Sequence, residues 1–283
     1  MKKKIVIILI VITSLVSCEN KKELNNDLRK INVYGKVKQI KTKPYLAKES
    51  FGEIEKAGFN GGVYVETFNT AGNQIQEKHY NSADGSPTGK TIFKYNSQGL
   101  KTEKRPYNEK GSPYNYYIYS YNDNNLVKTS KYKDRKSGEV LYKLTFEYNG
   151  IGNLINTRQT LPRTKNGYVE KYKYDKSGNK IEYNYGSKGI LIWITKYKYD
   201  DENRKLEDFN VDSNTRKMTG KTGYKYDNFD NIIERTKYNS DSFIKERTVF
   251  EYEYDKNNNW IKKTSFINET VKEIIEREIE YYK

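Results

Sequence analysis

His79 is the single histidine among 283 residues, so neither a histidine-based nucleophile relay nor a histidine-rich metal site can be assembled. It stands in Lys78-His79-Tyr80 on an expected strand and reads as a surface residue. Glycoside hydrolysis would need one distinguished pair of carboxylates. The 37 Asp and Glu residues recur in equivalent settings that single out no pair, so no catalytic residue is assigned. The clusters Asp227-Asn228-Phe229-Asp230-Asn231 and Asp200-Asp201-Glu202-Asn203 lack the alternate ligand spacing and closing bidentate Glu of a calcium loop. Turn chemistry accounts for them, and no metal or cofactor is expected. Trp193 and Trp260 are the candidate ligand-binding residues, because an indole stacks on a sugar ring and also anchors protein interfaces. Trp193 lies in Ile190-Leu191-Ile192-Trp193-Ile194, apolar on both faces, which is either buried twice over or an exposed patch. Trp260 follows Asn257-Asn258-Asn259, either exposed at a hairpin or part of a core.

The chain opens with Lys2, Lys3 and Lys4, an apolar run from Ile5 to Ile12, and Leu15-Val16-Ser17-Cys18 before polar Glu19-Asn20. That is the order of a secretory leader, too short to span a bilayer at about 20 residues. Leu15-Val16-Ser17-Cys18 resembles the lipobox of bacterial lipoproteins, and the resemblance implies cleavage before Cys18 and acylation of its thiol. Cys18 is also the only cysteine, so no disulfide partner competes for it. Two or more acyl chains anchor stably where one does not. The expected partner is then a membrane, reached through the lipid, and the expected location is the cell envelope, at the outer membrane. The net charge of +15 suits acidic glycans, anionic headgroups or an acidic protein. Nucleic acid is not expected, since an exported chain rarely meets it.

The elements that must position any site come from a repeat. Tyr172-Lys173-Tyr174-Asp175-Lys176-Ser177-Gly178-Asn179-Lys180-Ile181 contains an aromatic-x-aromatic pair, an Asx/Gly turn and an apolar residue. The same frame recurs with second aromatics at Phe68, Tyr95, Tyr121, Tyr148, Tyr174, Tyr199, Tyr226, Tyr254 and Tyr281, in steps of 25 to 28 residues. Aromatics alternating with lysine give a strand with one aromatic and one charged face. Each unit is expected to be a β-hairpin of about 26 residues that buries too little apolar surface to offset its own chain entropy. The expected fold is all-β: an elongated, twisted antiparallel sheet of tandem hairpins. The expected organisation is a leader over 1–17, lipidated Cys18 and polar tether over 18–30, cap strands over 31–66, and the repeat array over 67–283. The cap would cover the first edge of an open sheet against edge-to-edge association.

Tyr174, Asp175, Gly178, Asn179 and Ile181 together resemble the YD repeat of RHS-type bacterial proteins, with Asn203, Asp230 or Asn258 in place of Gly178 in nearby copies. The resemblance implies binding of carbohydrate or display of other polypeptides, without catalysis, and an array this short is not expected to close into a shell. The leading expectation is a membrane-anchored, non-enzymatic binding or scaffold lipoprotein recognising glycan or another envelope protein. An immunity lipoprotein that neutralises a toxin, and a purely structural envelope protein, are the alternatives.

Overall fold

The computed structural model describes residues 26–162 and 167–283. Cys18 and the leader lie outside the described residues. A short helix, α1 (Asp27–Lys30), precedes the strands β1 (Val37–Ser50), β2 (Glu53–Phe59), β3 (Val63–Phe68), β4 (Gln74–Tyr80), β5 (Pro87–Tyr95), β6 (Lys101–Asn108) and β7 (Tyr116–Tyr121). These continue as β8 (Val127–Lys133), β9 (Val140–Tyr148), β10 (Leu154–Thr160), β11 (Tyr168–Tyr174), β12 (Lys180–Ser187) and β13 (Ile190–Tyr199). The chain ends through β14 (Lys205–Val211), β15 (Met218–Tyr226), β16 (Ile232–Asn239), β17 (Ile244–Tyr254), β18 (Trp260–Ile267) and β19 (Thr270–Tyr281).

The eight turns that follow the marker aromatics have one geometry, which also recurs at Asn108 and Asn239 in loops between the repeats. At Asn69, Asn96, Asn122, Asn149, Asp175, Asp200, Asp227 and Asp255 the backbone N–H donates to the carbonyl four residues on, and the carbonyl accepts from the N–H three residues on. The side-chain Oδ1 of the same residue accepts from the N–H four residues on in every copy. An Asx side chain is required because only its short carbonyl reaches that far back into its own loop. The fourth residue has positive φ throughout: Gly72, Gly99, Gly152 and Gly178, but also Asn125 (60°), Asn203 (62°), Asp230 (61°) and Asn258 (62°). Asn and Asp tolerate the left-handed region, so the departures from Gly178 leave the turn unchanged.

Just before each turn the ladder slips by one residue, as between Lys94 and Tyr95, Lys173 and Tyr174, or Lys198 and Tyr199. Such bulges bend and twist a strand. The marker tyrosine then reaches sideways to the preceding hairpin. The hydroxyls of Tyr95, Tyr121, Tyr148, Tyr174, Tyr199 and Tyr226 donate to the carbonyls of Gln74, Lys101, Val127, Leu154, Lys180 and Lys205 at 2.7–2.9 Å. Tyr254 and Tyr281 donate instead to the carboxylates of Asp227 and Asp255.

The sheet closes, which corrects the expectation of an elongated open sheet. From β3 to β19 each strand pairs antiparallel with the next, β19 pairs with β1, and β1 pairs with β3, so β1 and β3–β19 form an eighteen-stranded barrel. Repeated bulges supply curvature that strand periodicity does not encode, and β1 supplies the missing neighbour for both ends of the array. Residues 31–66, read as a cap, therefore hold the closing strand, flanked by β19 on one side and β3 on the other. β2 stands outside the ring, paired to the far half of β1. The β1–β2 ribbon lies against the outer surface, where Lys56 meets Glu276 at 2.5 Å and Ile54 adjoins Ile274 and Thr264.

The small apolar core sits at the end of the barrel that carries the eight turns following the marker aromatics. Leu28 of α1, Val33, Val37, Ile40 and Phe68 pack together with Ile279 and Tyr281 against them. Asn26 caps α1 and donates to the carbonyl of Ala71 at 2.9 Å, while Leu28 N–H donates to Gly72 at 3.1 Å. This N-terminal segment thus stoppers the mouth on one side.

Candidate functional site

The two faces of the wall differ in chemistry. On one, the residue between the paired aromatics forms an ion pair with the strand opposite: Lys94–Glu103 at 3.4 Å, Lys173–Glu182 at 2.8 Å, Lys198–Glu207 at 3.0 Å, Lys225–Glu234 at 3.0 Å and Glu253–Lys262 at 2.7 Å. The lysines of the first four pairs are more than 60% exposed, at 62–66%. The other face carries the aromatics, and it is concave. The carboxylate of Asp27 takes the Tyr95 hydroxyl at 2.6 Å on β5, and Asn32 donates to the Phe229 carbonyl at 2.5 Å beside β16. A single helical turn with its flank touches strands seven places apart around the ring only from inside the curve. The barrel is therefore aromatic within and ionic without. Lipid-facing barrels have the reverse exterior, an apolar band in which a midplane lysine costs about 2–4 kcal/mol.

The inner wall is densest around Trp260, the first residue of β18. The Arg277 guanidinium on β19 lies 3.4 Å from the centre of the Trp260 ring, and Lys263 sits 5.6 Å from the same ring and from Phe250. Tyr252 packs against Trp260 with ring centres 6.0 Å apart. Register places Arg277 opposite Thr42 of β1, and Thr42 opposite Tyr64 of β3, so the cluster runs laterally across the closing strands. Burial lowers the Arg277 pKa to about 10, with Tyr64, Glu66 and Tyr252 acting in the opposite sense. Burial also lowers Lys263, with Glu273 opposing and Arg277 and Arg235 adding repulsion. Glu66 is raised by burial and then by Glu77. Among the described residues neither Arg277 nor Lys263 has a carboxylate within ion-pair distance; Arg235 has Glu246 at 3.6 Å. Nε and Nη1 of Arg277, Nε of Arg235 and Oγ1 of Thr42 are buried with no hydrogen-bond partner in the protein.

A second inner cluster lies at Lys180, whose ammonium sits 5.7, 5.9 and 4.8 Å from the rings of Tyr172, Tyr183 and Tyr197. Glu170 accepts from the hydroxyls of Tyr172 and Tyr183 at 2.8 and 3.0 Å. Burial depresses the Lys180 pKa, and the nearby Lys205 charge adds to it. Towards the opposite end of the barrel, Trp193 pairs with Tyr185, which packs against Tyr168 at 5.6 Å. Trp193 is 47% exposed, and its Nε1 donates to Thr195 Oγ1 at 2.9 Å. Its neighbour Ile194 is buried while Ile190 and Ile192 are exposed, so the apolar run is divided between the two fates that its composition allowed.

Both tryptophans named from sequence thus face the interior, on β13 and β18 and towards opposite ends, and they do not form one site. Sequence reasoning missed Arg277 and Lys263. Their signal was faint: a cation on the aromatic register of a strand rather than on the charged one. His79 is on the inner face at the rim, half-exposed, with Nε2 2.5 Å from Glu77. Among the described residues no group of three His, Cys, Asp or Glu side chains is placed to hold a metal ion.

No family model matches the chain, and no curated protein matches it. Solved structures do. A porin-like protein from Bacteroides uniformis is 14% identical over 86% of this chain and 96% of its own, with a TM-score of 0.44. A porin-like protein from Bacteroides vulgatus is 11% identical over 87% and 98%, with a TM-score of 0.36. The TcdB2-TccC3-Cdc42 structure is 14% identical over 86% of this chain and 14% of that one, with a TM-score of 0.37.

Proposed function

We propose that the chain is a membrane-tethered, non-enzymatic binding protein of the cell envelope that receives a glycan or polypeptide inside its barrel. The observation that carries this reading is the inner wall: half-buried tyrosines and tryptophans interspersed with Lys180, Lys263 and Arg277, cations without carboxylate partners among the described residues. An eighteen-stranded ring is too wide for its own side chains to fill, which leaves a chamber. Amphipathic rings and cations on a rigid wall suit recognition of a polar, ring-bearing or extended ligand. The ion-paired exterior favours a barrel standing in water beside the membrane, held by acylated Cys18 through the tether. A glycan array and cross-linking capture on the mature chain should each be tried; specific partners in either support the reading, and silence in both removes it. Protease shaving of intact cells, read against a buried control protein, reports which membrane face presents the barrel.

A further inference from the structure

We infer that Arg277, Lys263 and Arg235 form an oxyanion-binding site in the barrel wall, taking a carboxylate or phosphate of the ligand that enters the chamber. This rests on the proposed binding role and specifies the chemical group recognised.

The three cations come from β19, β18 and β16 and are brought to one inner patch by the ring, not by sequence proximity. Placing like charges side by side in a partly dehydrated wall is unfavourable unless something negative joins them. The protein supplies little. Glu66 lies near Arg277 and Glu273 near Lys263, each outside ion-pair distance. Arg235 alone has a carboxylate, Glu246 at 3.6 Å, and that glutamate is shared with Lys237 at 2.8 Å. Meanwhile the Trp260 ring stacks on the Arg277 guanidinium at 3.4 Å and holds it flat, so its donors are fixed in direction before anything binds. A planar donor fork with unpartnered N–H groups, held rigid and flanked by an ammonium, is the arrangement that recognises a planar or tetrahedral oxyanion.

The outer face shows the contrast. There the lysine between paired aromatics meets a glutamate, as in Lys173–Glu182 and Lys225–Glu234, and others such as Lys171 and Lys196 are exposed to water. Arg277 and Lys263 instead lack an ion pair where burial withdraws water from them, on the register that otherwise carries aromatics.

The test is calorimetric titration of the full chain with three probes: trigalacturonate, inorganic phosphate, and a neutral galactose trisaccharide of the same length. Binding of either oxyanion, weakening as salt rises and reduced at least about tenfold in both Arg277→Gln and Lys263→Gln, is the expected result. Phosphate and carboxylate arms separate the two sources of the group. Lys263→Gln carries the test if Arg277→Gln fails to fold, which its melting curve reports. Absence of oxyanion binding, equal affinity for the neutral trisaccharide, or binding untouched by both substitutions overturns the assignment. The broader binding role falls only if the glycan array and cross-linking capture are also silent.

Discussion

Asn259 and Tyr34, 225 positions apart, exchange two hydrogen bonds: the Tyr34 N–H donates to Asn259 Oδ1 at 2.7 Å, and Asn259 Nδ2 donates to the Tyr34 carbonyl at 2.8 Å. The asparagine side chain thereby acts as one residue of a β-ladder for the segment that stoppers the barrel. The same Nδ2 lies 2.8 Å from the Tyr281 hydroxyl, where β19 ends. Asn259 is 1% exposed, so its partners have no water to fall back on. Asn259→Ala is expected to cost about 2–4 kcal/mol, because it leaves buried backbone groups of Tyr34 unpaired. Denaturant melts check it. Asn258→Gly next door changes only the left-handed residue and should shift stability by a few tenths of a kcal/mol.

The tyrosine clasps make unequal contributions. Between β6 and β7 the ladder holds only the pairs Glu103–Ile118 and Lys104–Tyr117, whereas β12 and β13 share six pairs. Tyr121 bridges that thin seam through its bond to the Lys101 carbonyl, and Tyr199 bridges a well-paired one. Each Tyr→Phe change removes one hydrogen bond, about 1 kcal/mol. Hydrogen exchange should distinguish them: Tyr121→Phe speeds exchange of β7 amides locally, while Tyr199→Phe leaves local protection near that of the parent. Equal responses would show that the clasp does not carry the seam.

Alkaline pH should open the barrel. Burial, ahead of neighbouring phenols or carboxylates, raises the buried inner tyrosines, pushing Tyr119 and Tyr252 up to about 12 and Tyr254 further. An unfolded tyrosine titrates near 10, so above that pH the unfolded chain releases protons that the folded chain keeps. Stability from these groups is complete below pH 10 and is lost as pH rises towards 12. The part of the phenolate absorbance that Tyr119→Phe and Tyr252→Phe remove should therefore appear together with the loss of far-ultraviolet dichroism. That part appearing near pH 10 with the sheet intact would contradict the burial of these two rings.

The turns were the most legible part of the sequence, and the fourth position tests why. Gly178 has φ +86°, and a Cβ there would meet only Asn153 Nδ2 at an ordinary 3.9 Å, so the cost of Gly178→Ala is backbone strain alone, about 1–2 kcal/mol. Asn125→Gly, in the equivalent place at φ +60°, should be nearly neutral. Melting both variants checks the equivalence. Hairpin pairing and the aromatic–charged alternation followed from spacing because each is local to one unit. Closure did not follow, since it depends on the summed curvature of many bulges and on β1, whose Val37, Ile40, Tyr45 pattern resembles any edge strand. Arg277 and Lys263 were invisible for a related reason: they converge with Arg235 only after the ring has closed, and no short motif joins β16, β18 and β19.

Closure itself can be tested by removing its last strand. β1 pairs with β19 from Val37 to Leu46 and with β3 from Gln39 to Thr42, so it satisfies both ends of the repeat array at once. A chain beginning at Gly62 keeps every hairpin from β3 onward, yet exposes two full strand edges and loses Leu28, Val33, Val37 and Ile40 from the core. Free edges pair with other edges. Light scattering should therefore find dimers or larger species, and the melting transition should broaden because the stopper no longer ties the mouth together. Adding back a peptide spanning residues 26–50 should restore a monomeric complex, since the peptide carries both pairing edges and the core side chains. A truncated chain that stayed monomeric and melted as sharply as the parent would mean that the repeats close on themselves without β1.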